Sequence, residues 1–532
     1  MATLSTKTGK CSNFGNCSLA DARSVVEVPG GQDFVCTECA KPLVMGAGSG
    51  GDGAGGRRGL LIGGALLAVV VVVGGGLAWS MLGGPKSAAP VNASPAATPA
   101  VTPPAAPVGA TVLLRLAGSN TLGSKLMPAL AEAYLKSEGA TSVQRVPGAA
   151  AVEVSVQGRF GDGTVKSIDI AAHGSGTAFA GLGSGSADVG MSSRRITPPE
   201  VTQLAALGDM TSPAAEHVVG LDGLAVIVNQ GSAVSMLSKA QLADIFTGQT
   251  SDWRQLGAAA RGKSGPIKLY ARDEKSGTFD SFQAMVLGPG KLAAAAQRFE
   301  DSAQLSEAVS ADAAGIGFIG LPYVLNARAV GVADKGAVAL LPNRFTVATE
   351  DYALSRRLYL YTAVSPANAN VSKFVGFAKG KAGQDIVAQQ GFVEQTVQVQ
   401  PPASAVDASA PADYRQATAN ATRLSLNFRF RTGSRDLDNK ALPDLDRVVS
   451  FLSDMRTPPG SVMLFGFADA RGAADANLKL SRERAQTVAA EFKQRGIAPA
   501  VVTGFGASLP VASNDTSEGQ ERNRRVEIWI KR

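Results

Sequence analysis

The chain has 532 residues, of which 45% are hydrophobic, 18% charged and 6% aromatic, with a formal net charge of +7. That length accommodates roughly two to four domains with real cores. No basic run with interleaved aromatics occurs, so the mild positive charge gives no support to nucleic-acid binding.

All four cysteines lie near the N-terminus, as Cys11-x5-Cys17 and Cys36-x2-Cys39. Two thiolates two residues apart can bind a metal from one tight turn, and four thiolates close a tetrahedral zinc site. Such a site can fold a segment too small to build a core. Residues 1–58 are therefore read as a small head in which Cys11, Cys17, Cys36 and Cys39 hold a structural zinc, and the segment resembles a zinc ribbon. Four free thiols in a tail are the bland alternative. A closed site leaves no open position for catalysis, but its surface can serve an unidentified cytosolic protein.

Gly59 to Leu82 is uncharged and strongly apolar. At about 1.5 Å per helical residue it reaches about 36 Å, enough to cross a bilayer. It is too long, and too far from the start, for a cleaved signal peptide. Arg57 and Arg58 precede it and Lys86 stands alone after it, which predicts a cytoplasmic N-terminus. Cysteines confined to the cytosolic side agree with that orientation. The expectation is a single-pass membrane protein, with a transmembrane helix over 59–82 and the C-terminal bulk on the face opposite the cytoplasm. Residues 83–110, rich in Ala and Pro, read as an extended spacer.

Residues 111–398 alternate short apolar strands with helical stretches. Three places share one design: strand, Gly/Ser/Thr turn, helix start. They are Leu113–Ala117 before Gly118-Ser119-Asn120-Thr121, Ile168–Ala171 before Gly174-Ser175-Gly176-Thr177, and Ile267–Ala271 before Arg272 and Ser276-Gly277-Thr278. Free N–H groups at a helix start favour an anion, and a guanidinium offers a planar fork to an oxyanion. A lone turn of this kind more often caps an ordinary helix. Three in one domain point to an anion site.

This region resembles the phosphate-binding proteins of ABC importers, of the periplasmic-binding-protein class. The resemblance is carried by Ala187–Arg194, Leu221–Asn229, Leu242–Gly248 with Trp253, Gly315–Phe318, Leu358–Tyr361, Gly383–Val387 and Gly391–Val393. It implies two α/β lobes around a cleft, crossed twice by the chain. It also implies an anion, phosphate first, held by Ser119, Thr121, Leu122 (backbone), Ser175, Ser193, Arg272, Ser276, Gly277 and Thr278. Where many members have a carboxylate, this chain has Ser193 within Ser192-Ser193-Arg194. A carboxylate accepts the proton of hydrogen phosphate and repels sulfate, and a serine does not repel it. His173, beside the second turn, could contact the ligand, although one His at a strand end is more often structural.

Residues 399–420 contain Pro401, Pro402 and Pro411 and read as a second linker. Residues 421–532 then give an alternating strand at Leu424–Phe430, a helical face of Leu442, Leu445, Val449 and Leu452, a strand at Val462–Phe467, a helix carrying Ala485, Val488, Ala489 and Phe492, and a last strand at Val526–Ile530. The pattern is β-α-β-α-β. Gly466-Phe467-Ala468-Asp469, Asn477, Leu480-Ser481, Arg484-Ala485 and Asn523-Arg524-Arg525-Val526 make it resemble the OmpA C-terminal family. The resemblance implies peptidoglycan binding by Asp469, Asn477, Arg484 and Arg524. Asp469 would take the amine of a diaminopimelate side chain and Arg484 its carboxylate. Direct pairing of Asp469 with Arg484 is the plainer alternative.

The combined reading is a multidomain α/β protein that binds an oxyanion in the periplasm and holds the cell wall, with no catalytic residues. Only His173 and His217 occur, without a serine–histidine arrangement. The alternative is a purely structural membrane-to-wall tether whose binding-protein domain has lost or changed its ligand.

Overall fold

The computed structural model describes residues 7–11, 25–29, 34–37, 43–44, 109–274, 276–400, 410–431, 434 and 436–531. The chain divides into two compact units, Met1–Pro107 and Val108–Arg532.

In the first unit, Lys7–Cys11 is the central strand between Val25–Val28 and Leu43–Val44, antiparallel to both. Val26, Val28, Cys36 and Leu43 close over Phe34 as a small core. Cys11 ends the first strand, whereas Cys17 and Cys39 lie outside the described residues. The expected four-thiolate site is therefore only partly within them, and no metal-holding cluster occurs among the described residues. The apolar run 59–82 lies outside them too. Among the described residues no helix is long and apolar enough to cross a membrane.

The second unit is built on an 11-stranded sheet. Its path runs from Gln297–Phe299 through Lys268–Arg272, Gly315–Gly320, Glu216–Val228, Ser355–Tyr361, Val189–Ser192, Thr111–Gly118, Val165–Ala171 and Glu153–Arg159 to Ser142–Pro147. Two cores divide it. One gathers Leu114, Leu116, Leu130, Ile168, Val189, Leu358 and Phe374. The other gathers Val226, Val228, Phe246, Trp253, Phe282, Phe318 and Leu354. The Glu216–Val228 and Ser355–Tyr361 strands pair antiparallel and pass from one core to the other. Two lobes joined by two crossing strands result, as the resemblance implied. Both crossing strands are buried on both faces, so their sequences lack the alternation of a one-sided strand.

The C-terminal sheet has the order Ala421–Arg429, Arg525–Lys531, Val462–Gly466, Val501–Gly504, with only the last pair parallel. Helices Ala441–Asp454 and Ala474–Gln494 cover one face through Leu445, Val448, Val488 and Phe492. The strand at Val501–Gly504 is additional to the expected β-α-β-α-β pattern; at four residues it is too short for alternation to register. Within 399–420, read as linker, Ala412–Thr418 forms a helix opened by Pro411. Packing holds it there: Tyr414 sits edge-on among Phe465, Phe467, Phe505 and Trp529.

Candidate functional site

Thr111–Gly118 runs parallel to both Val165–Ala171 and Val189–Ser192. The turns that follow these three strands therefore emerge at one edge, where open α/β sheets place ligands. Gly118 makes this edge tight. Its φ is +141°, and a Cβ there would lie 2.0 Å from the Met191 carbonyl oxygen, which accepts the Ser119 N–H at 2.8 Å. Gly174 N–H in turn donates to Gly118 O at 2.8 Å. Ser119 caps the short Asn120–Gly123 helix, its Oγ accepting from Thr121 N, and Leu122 is fully buried behind it. Ser193 N–H donates to Ser175 Oγ at 3.1 Å, and the two hydroxyls stand 3.3 Å apart. A pair of hydroxyls thus stands at the second turn.

The third turn comes from the other lobe. Ser276 caps the helix Gly277–Phe282, its Oγ accepting from Thr278 N. Thr121 Oγ1 donates to Gly277 O at 3.2 Å, so the first and third turns meet across the cleft. Lys125 Nζ donates to Tyr323 Oη at 2.9 Å and ties the lobes a second time. Of the three turns singled out in the sequence, the second thus touches the first through Gly174 and Gly118, and the third touches it through Gly277 and Thr121.

Arg272 is placed differently. Its guanidinium donates to the carbonyls of Phe299 and Glu300 and to Ser302 Oγ, fixing it against its own lobe. The guanidinium that reaches between the turns is Arg356, at the start of the second crossing strand. Its Nη2 donates to Thr121 Oγ1 at 2.7 Å and Gly277 O at 3.4 Å, and its Nε to Asp222 at 3.2 Å. Burial lowers its pKa, with Asp222 and then Asp280 opposing. Burial also raises the Asp280 carboxyl on the third-turn helix, against the attraction of Arg356. Sequence reading passed over Arg356. The signal was Arg356-Arg357 ahead of an apolar strand: adjacent strand residues face opposite ways, so one arginine had to point inward.

The cleft thus brings together hydroxyls, helix-start N–H groups and the largely buried Arg356 guanidinium, groups of the kind that bind an oxyanion, and here they bond to one another and to Asp222. His173 pairs with Glu153 at 2.9 Å on the surface. His217 lies by Thr362, with burial pushing its pKa down to about 4.

In the C-terminal domain, the Asp469 carboxylate accepts from Arg524 Nη1 and from the Arg471 N–H, both at 3.0 Å. Its ion pair is with Arg524 rather than with Arg484. Arg484 and Asn477 are seven residues apart on the helix Ala474–Gln494, and both are buried. The Arg484 guanidinium lies over the Phe430 ring at 5.5 Å, and its Nε and Nη1 have no partner. Burial, with Arg524 adding to it, pulls its pKa down to about 10, against the attraction of Asp469. Arg524 Nε and Nη2 are likewise without partners. Two guanidinium groups with unused donors face one carboxylate, which leaves capacity for an added anionic group. Asn523 shapes the adjoining loops, accepting from Val511 N and Ala512 N and donating to Asn514 Oδ1.

Comparison with known proteins adds the following. Residues 102–380 match the PBP superfamily domain model, and residues 429–524 match the OmpA family model. Protein SphX of Synechococcus elongatus is 29% identical over 298 residues, covering 53% of this chain and 84% of that protein. The phosphate-binding protein PstS of Borreliella burgdorferi is 28% identical over 229 residues, covering 42% of this chain and 77% of that protein. The crystal structure of an ABC-type phosphate transport receptor from Vibrio cholerae aligns with a TM-score of 0.41 at 22% identity, over 53% of this chain and 99% of that one.

Proposed function

The chain belongs to the PBP superfamily, and from that premise we propose that its two-lobed region binds a phosphate-like oxyanion while its OmpA-like domain holds peptidoglycan. The observation that carries the reading is the meeting of Thr121, Gly277 and Arg356 between the lobes, with the Ser175–Ser193 hydroxyl pair on the adjoining second turn. Relatives named as phosphate-binding proteins support phosphate as the first ligand to try. For the wall, the support is the Asp469–Arg524 pair beside the buried, unpartnered donors of Arg484. A diaminopimelate side chain carries the matching amine and carboxylate. In this reading the protein is a binding protein and not an enzyme. The run 59–82 anchors it in the inner membrane with the cysteine head in the cytosol, and that head binds zinc through its four cysteines. Metal analysis of the purified chain finding no zinc would remove that last element.

Titration of inorganic phosphate, with sulfate in parallel, into the purified full chain tests the anion reading; millimolar or tighter binding supports it and none overturns it. Retention on isolated cell-wall sacculi, lost in Asp469→Ala, tests the wall reading. One observation favours a second reading, a tether with a lost or changed ligand: Arg272 is committed to Phe299, Glu300 and Ser302. Under that reading sacculus binding persists while both anions leave the chain unchanged.

A further inference from the structure

The C-terminal domain is seated across the hinge of the two lobes. On one lobe it grips the turn that enters the second crossing strand. Asn427 Nδ2 donates to Thr349 O at 2.7 Å and to Asp351 at 2.9 Å, and Arg423 pairs with Asp351 at 2.8 Å. Arg522 donates to the carbonyls of Glu350, Tyr352 and Ala353 and to Ser355 Oγ. On the other lobe, Asn439 Nδ2 donates to Thr211 O at 2.8 Å and Glu216 at 3.0 Å, while Arg195 pairs with Glu521 at 2.7 Å. At the crossing itself, Arg357 holds Glu350 at 2.9 Å and Asp438 at 2.7 Å. Asn427, Glu350, Arg357 and Asp438 are all buried. Removing one member of such a set leaves an uncompensated buried charge, so the contact acts as a unit.

Two pairs of neighbouring residues link this contact to the two sites. Arg356 points into the cleft at Thr121, Asp222 and Gly277, while Arg357 points to Asp438. At the far end, Arg522 grips the carbonyls of 350–353, and Arg524, two residues on, pairs with Asp469. Opening the cleft requires rotation about the crossing strands, which moves Thr349–Ala353 relative to Thr211 and Glu216. The docked domain holds both. The structure combines the docked domain with touching lobes, as the Thr121–Gly277 and Lys125–Tyr323 hydrogen bonds demonstrate.

We propose that this seating makes the two sites interdependent, so that oxyanion in the cleft and wall peptide at Asp469, Arg484 and Arg524 each tighten the binding of the other. The inference rests on the two-ligand reading above. Lobe closure is the two-state element, and the C-terminal domain biases it.

The test is titration of inorganic phosphate into the full chain with and without a saturating soluble muropeptide that carries diaminopimelate. The expected result is about fivefold or greater tightening, with the same factor when the order is reversed, because coupling is reciprocal. Asp438→Asn cuts the link to Arg357 without removing a group from either site; it should bring the factor to about one while each ligand still binds by itself. Arg522→Gln provides a second cut should Asp438→Asn fail to fold. Binding of both ligands with affinities unchanged or weakened by the partner ligand overturns the coupling alone. Failure of either ligand to bind by itself overturns the two-ligand reading and the coupling with it. A factor that survives in a folded hinge variant overturns the assigned contact.

Discussion

Gly277 decides whether the lobes can touch. A Cβ there would stand 2.6 Å from Thr121 Cα, 2.7 Å from its Oγ1 and 2.8 Å from its N. Non-bonded carbon contacts need about 3.5–4.0 Å, so Gly277→Ala must part the lobes by about 1 Å. Two of the three atoms belong to the backbone and cannot rotate aside. Parting them breaks the hydrogen bonds to Gly277 O from Thr121 Oγ1, at 3.2 Å, and from Arg356 Nη2, at 3.4 Å. At about 0.5–1.5 kcal/mol net for each, the closed state loses about 1–3 kcal/mol. That corresponds to roughly a five- to 150-fold loss of phosphate affinity. Gly277 lies outside the left-handed backbone region and opens a helix, so alanine is locally acceptable and each lobe should keep its own stability. Calorimetric titration with inorganic phosphate, beside a thermal unfolding scan, separates the two effects. Affinity within twofold of the parent would refute the closed-cleft reasoning.

Three further outcomes follow from the same contacts. Asp222→Asn strips the countercharge from Arg356 in a pair whose side chains are each 12% exposed, and should cost roughly 3 kcal/mol in denaturant unfolding; an unchanged midpoint would show that the pair is not an anchor. Arg484→Ala should weaken muropeptide binding at least about tenfold with little change in melting temperature, because Nε and Nη1 make no protein hydrogen bond and only the contact with the Phe430 ring is lost. Full retention on sacculi by that variant would remove Arg484 from the site. His217, pushed down to about 4 by burial and by Lys379, stays neutral in the folded protein while the unfolded chain protonates near 6.5. The stability it contributes is complete above pH 6.5 and is lost as pH falls to about 4, up to about 3 kcal/mol. His217→Gln should flatten the pH dependence of melting in that window, and an identical slope would exclude His217 as its source.

What could be read in the sequence divides along physical lines. Strand–turn–helix units are local, so Gly118-Ser119, Gly174-Ser175 and Ser276-Gly277 revealed their conformation and their common design. The Leu424–Phe430 alternation and the Leu442–Leu452 face placed the C-terminal sandwich for the same reason. Position of a long side chain is not local. Arg272 and Arg356 both lie at an end of a strand, and only tertiary contacts decide that Phe299–Ser302 engages the first while Thr121 and Asp222 draw the second into the cleft. The Ala412–Thr418 helix was hidden likewise, since its sequence is linker-like and its stability comes from where Tyr414 lands. The Arg356-Arg357 dipeptide carries the consequence furthest. Strand geometry forces these side chains apart, one toward the ligand cleft and the other toward Asp438. Any shift of the crossing strand that admits or releases an anion must therefore move both arginines together.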